Sequence, residues 1–477
     1  MRRILLSVTL WSAALAGPPA GTPVEQRYAE AHKYPPELYA FLLRMPKGGD
    51  LHLHSSGAIY AETYLRIAAE DRLCLDLRTH SIVAALSGNC GENGVEAARA
   101  QTDNTLASAM IDSLSMRNFV PGRESAHDHF FAAFGKFGPY NRQHRGELLA
   151  EITRRAADQN ESYLELMATN GAAADVLGMQ TGFSGDFAAT RDKLMAGGLE
   201  KIVEGMRGAV EDLEQARVRA LDCEHRPGSP PCRITVRYLY QVLRESPKPV
   251  VFAQVLAGFL LASLDSRVVG INFVQPEDGA TSMRDYHEQM QMLDYAHNLY
   301  PKVHVTLHAG ELAAGLVPPE GLRFHVREAV ELGHAERIGH GVSVMYENNA
   351  EQLLTEMRRR KIMVEINLTS NDLILGVRGP DHPLPVYRRH GVPVAISTDD
   401  QGVSRTHLTE EYTRAALTYN LSYADLKQMA RNSIEYSFVE DREKTQLLQD
   451  LERRFRAFER SFEPKPTAAP PTTTTSP

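Results

Sequence analysis

Two hydrophobic rhythms alternate along this chain. Short apolar runs with strand character are separated by longer segments whose apolar positions recur every three or four residues. The runs are Lys47–His54, Ser162–Ala168, Ile234–Val242, Val268–Val274, Val303–His308, Arg337–Val342, Ile362–Leu368 and Val392–Ser397. Between them the pattern predicts helices over Ala61–Ala69, Gly185–Glu224, Val250–Leu264, Met283–Leu299, Glu320–Glu331, Ala350–Arg360 and a turn and helix ending at His390. Strands alternating with helices imply a parallel sheet, and eight such units point to a closed (β/α)8 TIM barrel of the α/β class. A doubly wound open sheet is the competing architecture, but no G-x-G-x-x-G follows a strand to support it.

The flanks extend this frame. Val24–Leu43 reads as an N-terminal helical segment (residues 24–45) broken at Pro35-Pro36 and packed across the outside of the barrel domain (residues 46–462). Helices are expected at Glu410–Tyr419, Ser422–Tyr436 and Asp441–Phe462 after the last strand. The Pro/Thr-rich tail Glu463–Pro477 is expected to be disordered. The helically spaced aromatics Phe130, Phe131, Phe134 and Phe137 read as core in preference to a ligand box.

Composition narrows the setting. A net charge of −8 spread over 477 residues, with no basic tract, argues against nucleic-acid binding. Met1-Arg2-Arg3, the apolar run Ile4–Ala16 and the small-x-small Ala14-Leu15-Ala16 form a signal peptide within residues 1–20. The expectation is therefore an exported protein, periplasmic or secreted, with no membrane attachment after cleavage. Four cysteines agree with export, and their spacings favour local pairs, Cys74–Cys90 and Cys223–Cys232, among three possible pairings. Each pair would staple an insertion.

Chemistry enters at the ends of the predicted strands, where barrel enzymes place their catalytic groups. The first strand ends His52-Leu53-His54, and alternation puts both imidazoles on one face. Later strands end in His308-Ala309-Gly310-Glu311, Gly339-His340-Gly341 and Ser397-Thr398-Asp399-Asp400. His52, His54, His308 and Asp399 offer three imidazoles and one carboxylate, a nitrogen-rich set suited to one Zn²⁺ per chain with room for water. Nickel or iron would also accept these ligands. Glu311, three residues beyond a ligand, is a candidate proton donor. His340 could hold or deprotonate the attacking water, and Asp400 would contact substrate.

Taken together, Gly49-Asp50-Leu51-His52-Leu53-His54, His308-Ala309-Gly310-Glu311, Arg337-Ile338-Gly339-His340-Gly341 and Ser397-Thr398-Asp399-Asp400 resemble the adenosine deaminase family, and the exported, disulfide-bearing form is similar to its secreted branch. The resemblance covers roughly Lys47 to Tyr436. It implies hydrolytic deamination of a 6-aminopurine such as adenosine or 2′-deoxyadenosine. In that scheme hydroxide attacks C6, Glu311 protonates N1, His340 orients the hydroxide, Asp400 contacts N7 and ammonia leaves. Gly310, Ser56 and Gln275 join Asp400 as expected substrate contacts. The expected partner is a small purine nucleoside, bound by a monomer or homodimer.

Three positions depart from the family pattern. Ser56 stands where adenosine enzymes carry an acid near the ribose 5′-hydroxyl. Gln275 replaces a glycine whose backbone approaches the purine, and Tyr163-Leu-Glu165-Leu-Met167 lacks the usual final Arg. Another aminopurine, free adenine or a modified nucleoside, is the nearest alternative substrate. A metal-dependent ester or amide hydrolase is disfavoured: that reaction often uses two metals bridged by a modified Lys, and the middle strand ends Phe273-Val274-Gln275-Pro276, without Lys. A non-catalytic extracellular binding protein is disfavoured because Glu311, His340 and Asp399 are all present.

Overall fold

A computed structural model describes residues 21–464 apart from 87, 140–143 and 169–171. The expected signal peptide and most of the Pro/Thr-rich tail lie outside the described residues.

Eight parallel strands form the barrel: β1 (Gly49–His54), β2 (Tyr163–Ala168), β3 (Thr235–Leu243), β4 (Val268–Val274), β5 (His304–Ala309), β6 (Arg337–His340), β7 (Met363–Ile366) and β8 (Val394–Ile396). Each strand pairs with its neighbour in chain order. The ring closes just beyond β8, where the His54 N–H donates to the Asp399 carbonyl at 3.1 Å and the Asp399 N–H to the His52 carbonyl at 2.9 Å. Three of the expected metal ligands therefore also form the seam. Every residue of β4 is buried, as expected for a parallel strand covered on both faces.

The helices follow the expected order with shifted boundaries. The segment expected as one helix over Gly185–Glu224 is two helices, Phe187–Ala196 and Leu199–Ala220, separated at Gly197-Gly198. Gly198 has φ +97°, which breaks the helical path. Likewise Glu320–Glu331 divides into a short 3₁₀ turn, Pro319–Leu322, and a helix, His325–Glu331. The first insertion carries a three-stranded antiparallel sheet (Cys74–Asp76, Ser81–Val83, Gly94–Glu96) that the hydrophobic pattern did not announce. Strands of three residues are too short to show a period.

Both disulfides join the expected partners, Cys74–Cys90 and Cys223–Cys232. The N-terminal helices, Pro23–Ala31 and Pro35–Arg44, pack on the helices after β8. Tyr28 donates its hydroxyl to the Leu421 carbonyl at 2.5 Å, and Phe41 lies against Tyr423, Phe458 and Phe462. No helix among the described residues is long and apolar enough to cross a membrane.

Charge runs through the barrel interior. Arg337 on β6 is fully buried, donating to Glu165 on β2 at 2.5 Å and to Glu365 on β7 at 2.6 Å. Tyr163 and the Phe438 N–H both donate to the other Glu165 oxygen at 2.7 Å. Replacing Arg337 by Met would leave two buried carboxylates facing each other. A loss of about 3–5 kcal/mol is expected, as for other broken buried ion pairs. A urea unfolding curve with an unchanged midpoint would contradict this.

Candidate active site

The barrel's C-terminal rim gathers the predicted ligands. The pleat of β1 turns His52 and His54 toward the same centre, and β5 brings His308 from the opposite side. His52 Nε2 and His54 Nε2 lie 3.0 and 3.1 Å from His308 Nε2. Asp399 Oδ1 lies 3.4 Å from His52 Nε2 and 3.2 Å from His54 Nε2. The backbone is bent to reach this arrangement: His340 and Asp399 have φ of +67° and +62°. Side chains other than glycine seldom adopt that conformation, and here it falls on site residues. Gly339 is required by close approach, since a Cβ there would lie 2.6 Å from His52 Cε1. Gly57 serves Asp400 similarly, because a Cβ would collide with Asp400 Oδ1.

Hydrogen bonds to the far ring nitrogens of His308 and His52 identify the atoms turned to the centre, and His54 Nδ1 lies 3.4 Å from the Gln241 amide nitrogen. The His308 N–H donates to Asn272 Oδ1 at 3.1 Å, which marks that atom as an acceptor. His308 Nδ1, 2.8 Å from the same oxygen, therefore carries a proton and leaves Nε2 with a lone pair. His52 Nδ1 donates to Glu365 Oε2 at 2.6 Å, so in the neutral ring Nε2 presents a lone pair. Against burial, Asp399 and Glu365 raise this imidazole to about 10, and a cation at Nε2 competes with that proton. Two lone pairs 3.0 Å apart cannot hydrogen-bond to each other. Asp399 Oδ1 beside them is buried and has no hydrogen-bond partner. A cation satisfies all of these atoms together, so the donor set fits the metal that the sequence implies.

The neighbouring titratable groups have separate environments. Burial would raise the Glu365 carboxyl, but Arg337 and His52 hold it down at about 2. Burial first, and then the charges of Asp399 and Glu277, push Glu311 well above the usual carboxylate range. Burial and the adjacent Asp399 likewise push Asp400 up. Burial lowers His340 to about 3 against the pull of Asp399, so its imidazole is neutral. His340 Nδ1 lies 3.6 Å from Glu311 Oε1, and its Nε2 lies 3.9 Å from Asp399 Oδ2. Ser370 donates to that oxygen at 2.5 Å.

A cavity of about 470 Å³ opens onto this cluster, lined by His54, His308, Glu311, Asp399 and Asp400 at the polar end and by Ser56 and Gln275. Phe130, Phe131 and Phe134, together with Ile374, form an apolar wall. The aromatic cluster expected in the core thus has two roles: Phe137 packs against Tyr64, while its three companions face the cavity. Gln275 has φ +82°, a backbone suited to glycine, and its side-chain oxygen accepts from the Glu245 N–H at 3.0 Å. Gly310 is not among the cavity-lining residues, and its N–H donates to Glu277 Oε1 at 2.9 Å. The second Glu277 oxygen accepts from the Glu311 N–H at 2.7 Å and so holds the turn carrying the candidate acid.

Sequence reading passed over Glu365, Asn272 and Glu277. For the first two a signal existed: one polar residue inside an apolar strand, as in Val364-Glu365-Ile366 and Ile271-Asn272-Phe273. Glu365→Gln is expected to weaken metal binding about 10–100-fold by removing the charged partner of His52. Competition with a chromogenic chelator would measure this, and wild-type affinity would count against it.

Comparison with known proteins agrees with this geometry. The family model described as adenosine deaminase matches residues 199–454, more than half of the chain. The adenosine deaminase of Clostridium perfringens is 25% identical over 414 residues, covering 85% of this chain and 98% of that protein. Among solved structures, an amidohydrolase from Burkholderia ambifaria with bound zinc superposes with a TM-score of 0.56 at 18% identity, covering 89% of this chain and 94% of that one. The N6-methyl-AMP deaminase of Arabidopsis thaliana gives 0.53 at 20% identity, covering 87% and 98%. At those identities the two structures share the fold. The ligand-bearing barrel and the family match lead to one conclusion: the chain belongs to the adenosine deaminase family of metal-dependent aminohydrolases.

Proposed function

We propose that this protein is a zinc-dependent hydrolase that converts adenosine or 2′-deoxyadenosine to the corresponding inosine with release of ammonia. The observation that carries the reading is the meeting of three imidazole Nε2 atoms and an unpartnered carboxylate oxygen beside His340, next to a cavity lined by Glu311 and Asp400. His52, His54, His308 and Asp399 would hold one zinc ion per chain. When bound, such an ion supplies a water acidified from a pKa of about 15.7 toward 7.

The chain's own groups supply the rest. The wall of Phe130, Phe131 and Phe134 offers aromatic faces to a flat base and excludes water. Glu311, kept protonated by burial, delivers its proton to the ring nitrogen beside the reacting carbon. A ring protonated there accepts an oxygen nucleophile far more readily. Asp400, also kept protonated, donates to the second ring nitrogen facing it. His340 holds the incoming oxygen in line. The C–O bond forms, one proton of the attacking water passes to the amino group and the other restores Glu311, and the C–N bond breaks to release ammonia and the oxo base.

A second reading, free adenine or a modified nucleoside, is favoured by Ser56 and Gln275, where the family's sugar- and base-contacting residues differ. We also infer that the mature protein is exported, since its two disulfides suit an oxidising compartment.

The test is ammonia release by the zinc-loaded protein against adenosine, 2′-deoxyadenosine, adenine and N6-methyladenosine. Highest kcat/KM on either of the first two supports the main reading, and highest on adenine or the modified nucleoside replaces it with the second. Failure on all four removes both. Glu311→Gln is expected to keep the metal while lowering kcat by about 10²–10⁴-fold, the usual worth of a positioned general acid. Normal turnover in that variant would take Glu311 out of the chemistry. His54→Ala should lose the metal, which elemental analysis would show.

A further inference from the structure

Beside His340, two buried polar residues form a chain that ends on the backbone. The Leu384 N–H donates to His382 Nδ1 at 3.1 Å. A main-chain N–H can only donate, so His382 Nδ1 is an acceptor and the ring's proton is on Nε2. His382 Nε2 lies 3.0 Å from Asn371 Oδ1 and donates to it. That contact fixes the orientation of the amide, whose Nδ2 then donates to His340 Nδ1 across 2.8 Å. Asn371 and His382 are both buried, so water does not compete for these bonds. Asn367 Nδ2, 3.5 Å from both ring nitrogens of His340, does not discriminate between them.

We infer that the chain Leu384–His382–Asn371 sets the tautomer of His340, with Nδ1 as acceptor and the proton on Nε2. The consequence separates His340 from the metal ligands, although its nitrogen lies within reach of theirs. His52 and His308 have their Nδ1 protons committed and turn Nε2 lone pairs to the centre. His340 presents an N–H on its Nε2 side, toward Asp399 Oδ2. It donates a hydrogen bond in the site and does not coordinate. Asn371 and His382 are positioning residues that act through it. The elements carrying them fit this task. Asn371 lies on the helix Leu368–Leu375 directly after β7, and His382 just precedes the helix Leu384–His390.

The effect on turnover rests on the deaminase reading, whereas the tautomer does not, and the experiment reads them separately. The zinc-loaded protein is labelled with ¹⁵N-histidine, and long-range ¹H–¹⁵N correlation reports each imidazole, with His340→Asn used for assignment. The expected wild-type spectrum shows His340 protonated at Nε2 and bare at Nδ1. A proton on Nδ1 overturns the inference without any variant. Asn371→Asp replaces the donor by an acceptor and should move a proton onto His340 Nδ1. In that variant kcat is expected to fall by about 10²-fold or more, as when a catalytic histidine is held in the wrong tautomer. Zinc content and KM should stay within about twofold, because neither residue touches zinc or substrate. His382→Gln, which can still donate to Asn371, should retain more activity than His382→Ala. An Asn371→Asp protein with an unaltered His340 spectrum and unaltered kcat also overturns the inference. If the wild type deaminates no aminopurine, the functional reading fails and the spectrum still decides the tautomer.

Discussion

The buried ion column Glu165–Arg337–Glu365–His52 is the interaction on which the site depends. A cationic guanidinium stacked on Phe438 in the barrel interior is stable only because two carboxylates flank it. One of those carboxylates also accepts the hydrogen bond from His52 Nδ1–H, which turns Nε2 to the centre where a cation would sit. The charges that hold β2, β6 and β7 together thus also determine what the barrel can bind. The missing Arg of the family's Tyr-x-Glu-x-Arg pattern does not disturb this column. Glu165 is kept, and Met167 packs beside Leu239 and Phe438.

A second constraint is the seam. With β8 only three residues long, closure falls to the backbone of His52, His54 and Asp399. A side-chain bond from Thr398 to Asp50 reinforces it, and Gln401 donates to Thr398 Oγ1 at 3.1 Å. Gln401 in turn accepts from Arg155 at 2.7 Å, which ties the seam to the helix Arg145–Asp158. The bonds that close the ring therefore also bring His52, His54 and Asp399 together. The left-handed backbone at Asp399 is tolerated because these bonds hold it from both sides.

The cavity walls come from less regular parts of the chain. The aromatic wall comes from an insertion between β1 and β2, and Gln275 from the turn after β4. His127, on the same helix as Phe130 and Phe131, lies 3.0 Å from Asp278 Oδ1 in that turn. The two walls of the cavity are thus joined to each other at the mouth, while the polar floor is carried by the strands.

The sequence by itself determined the order of eight strands, favoured the cysteine pairing that the structure shows and named side chains that meet at the barrel's rim. These rest on local patterns: alternation placed His52 and His54 on one face, and short spacing favoured nearby cysteines. Tertiary structure alone decided what depends on distant neighbours. That Glu365 serves His52, that Asn371 serves His340, and that Phe130, Phe131 and Phe134 face a cavity cannot be read from residues scattered over the chain. Nor could the break at Gly197-Gly198 or the small sheet in the first insertion be seen, since neither produces a periodic signal. A hydrophobic period reports which face of an element is buried, but not what it is buried against. That partner is chosen by the closure of the barrel, which brings residues hundreds of positions apart within one hydrogen bond of each other.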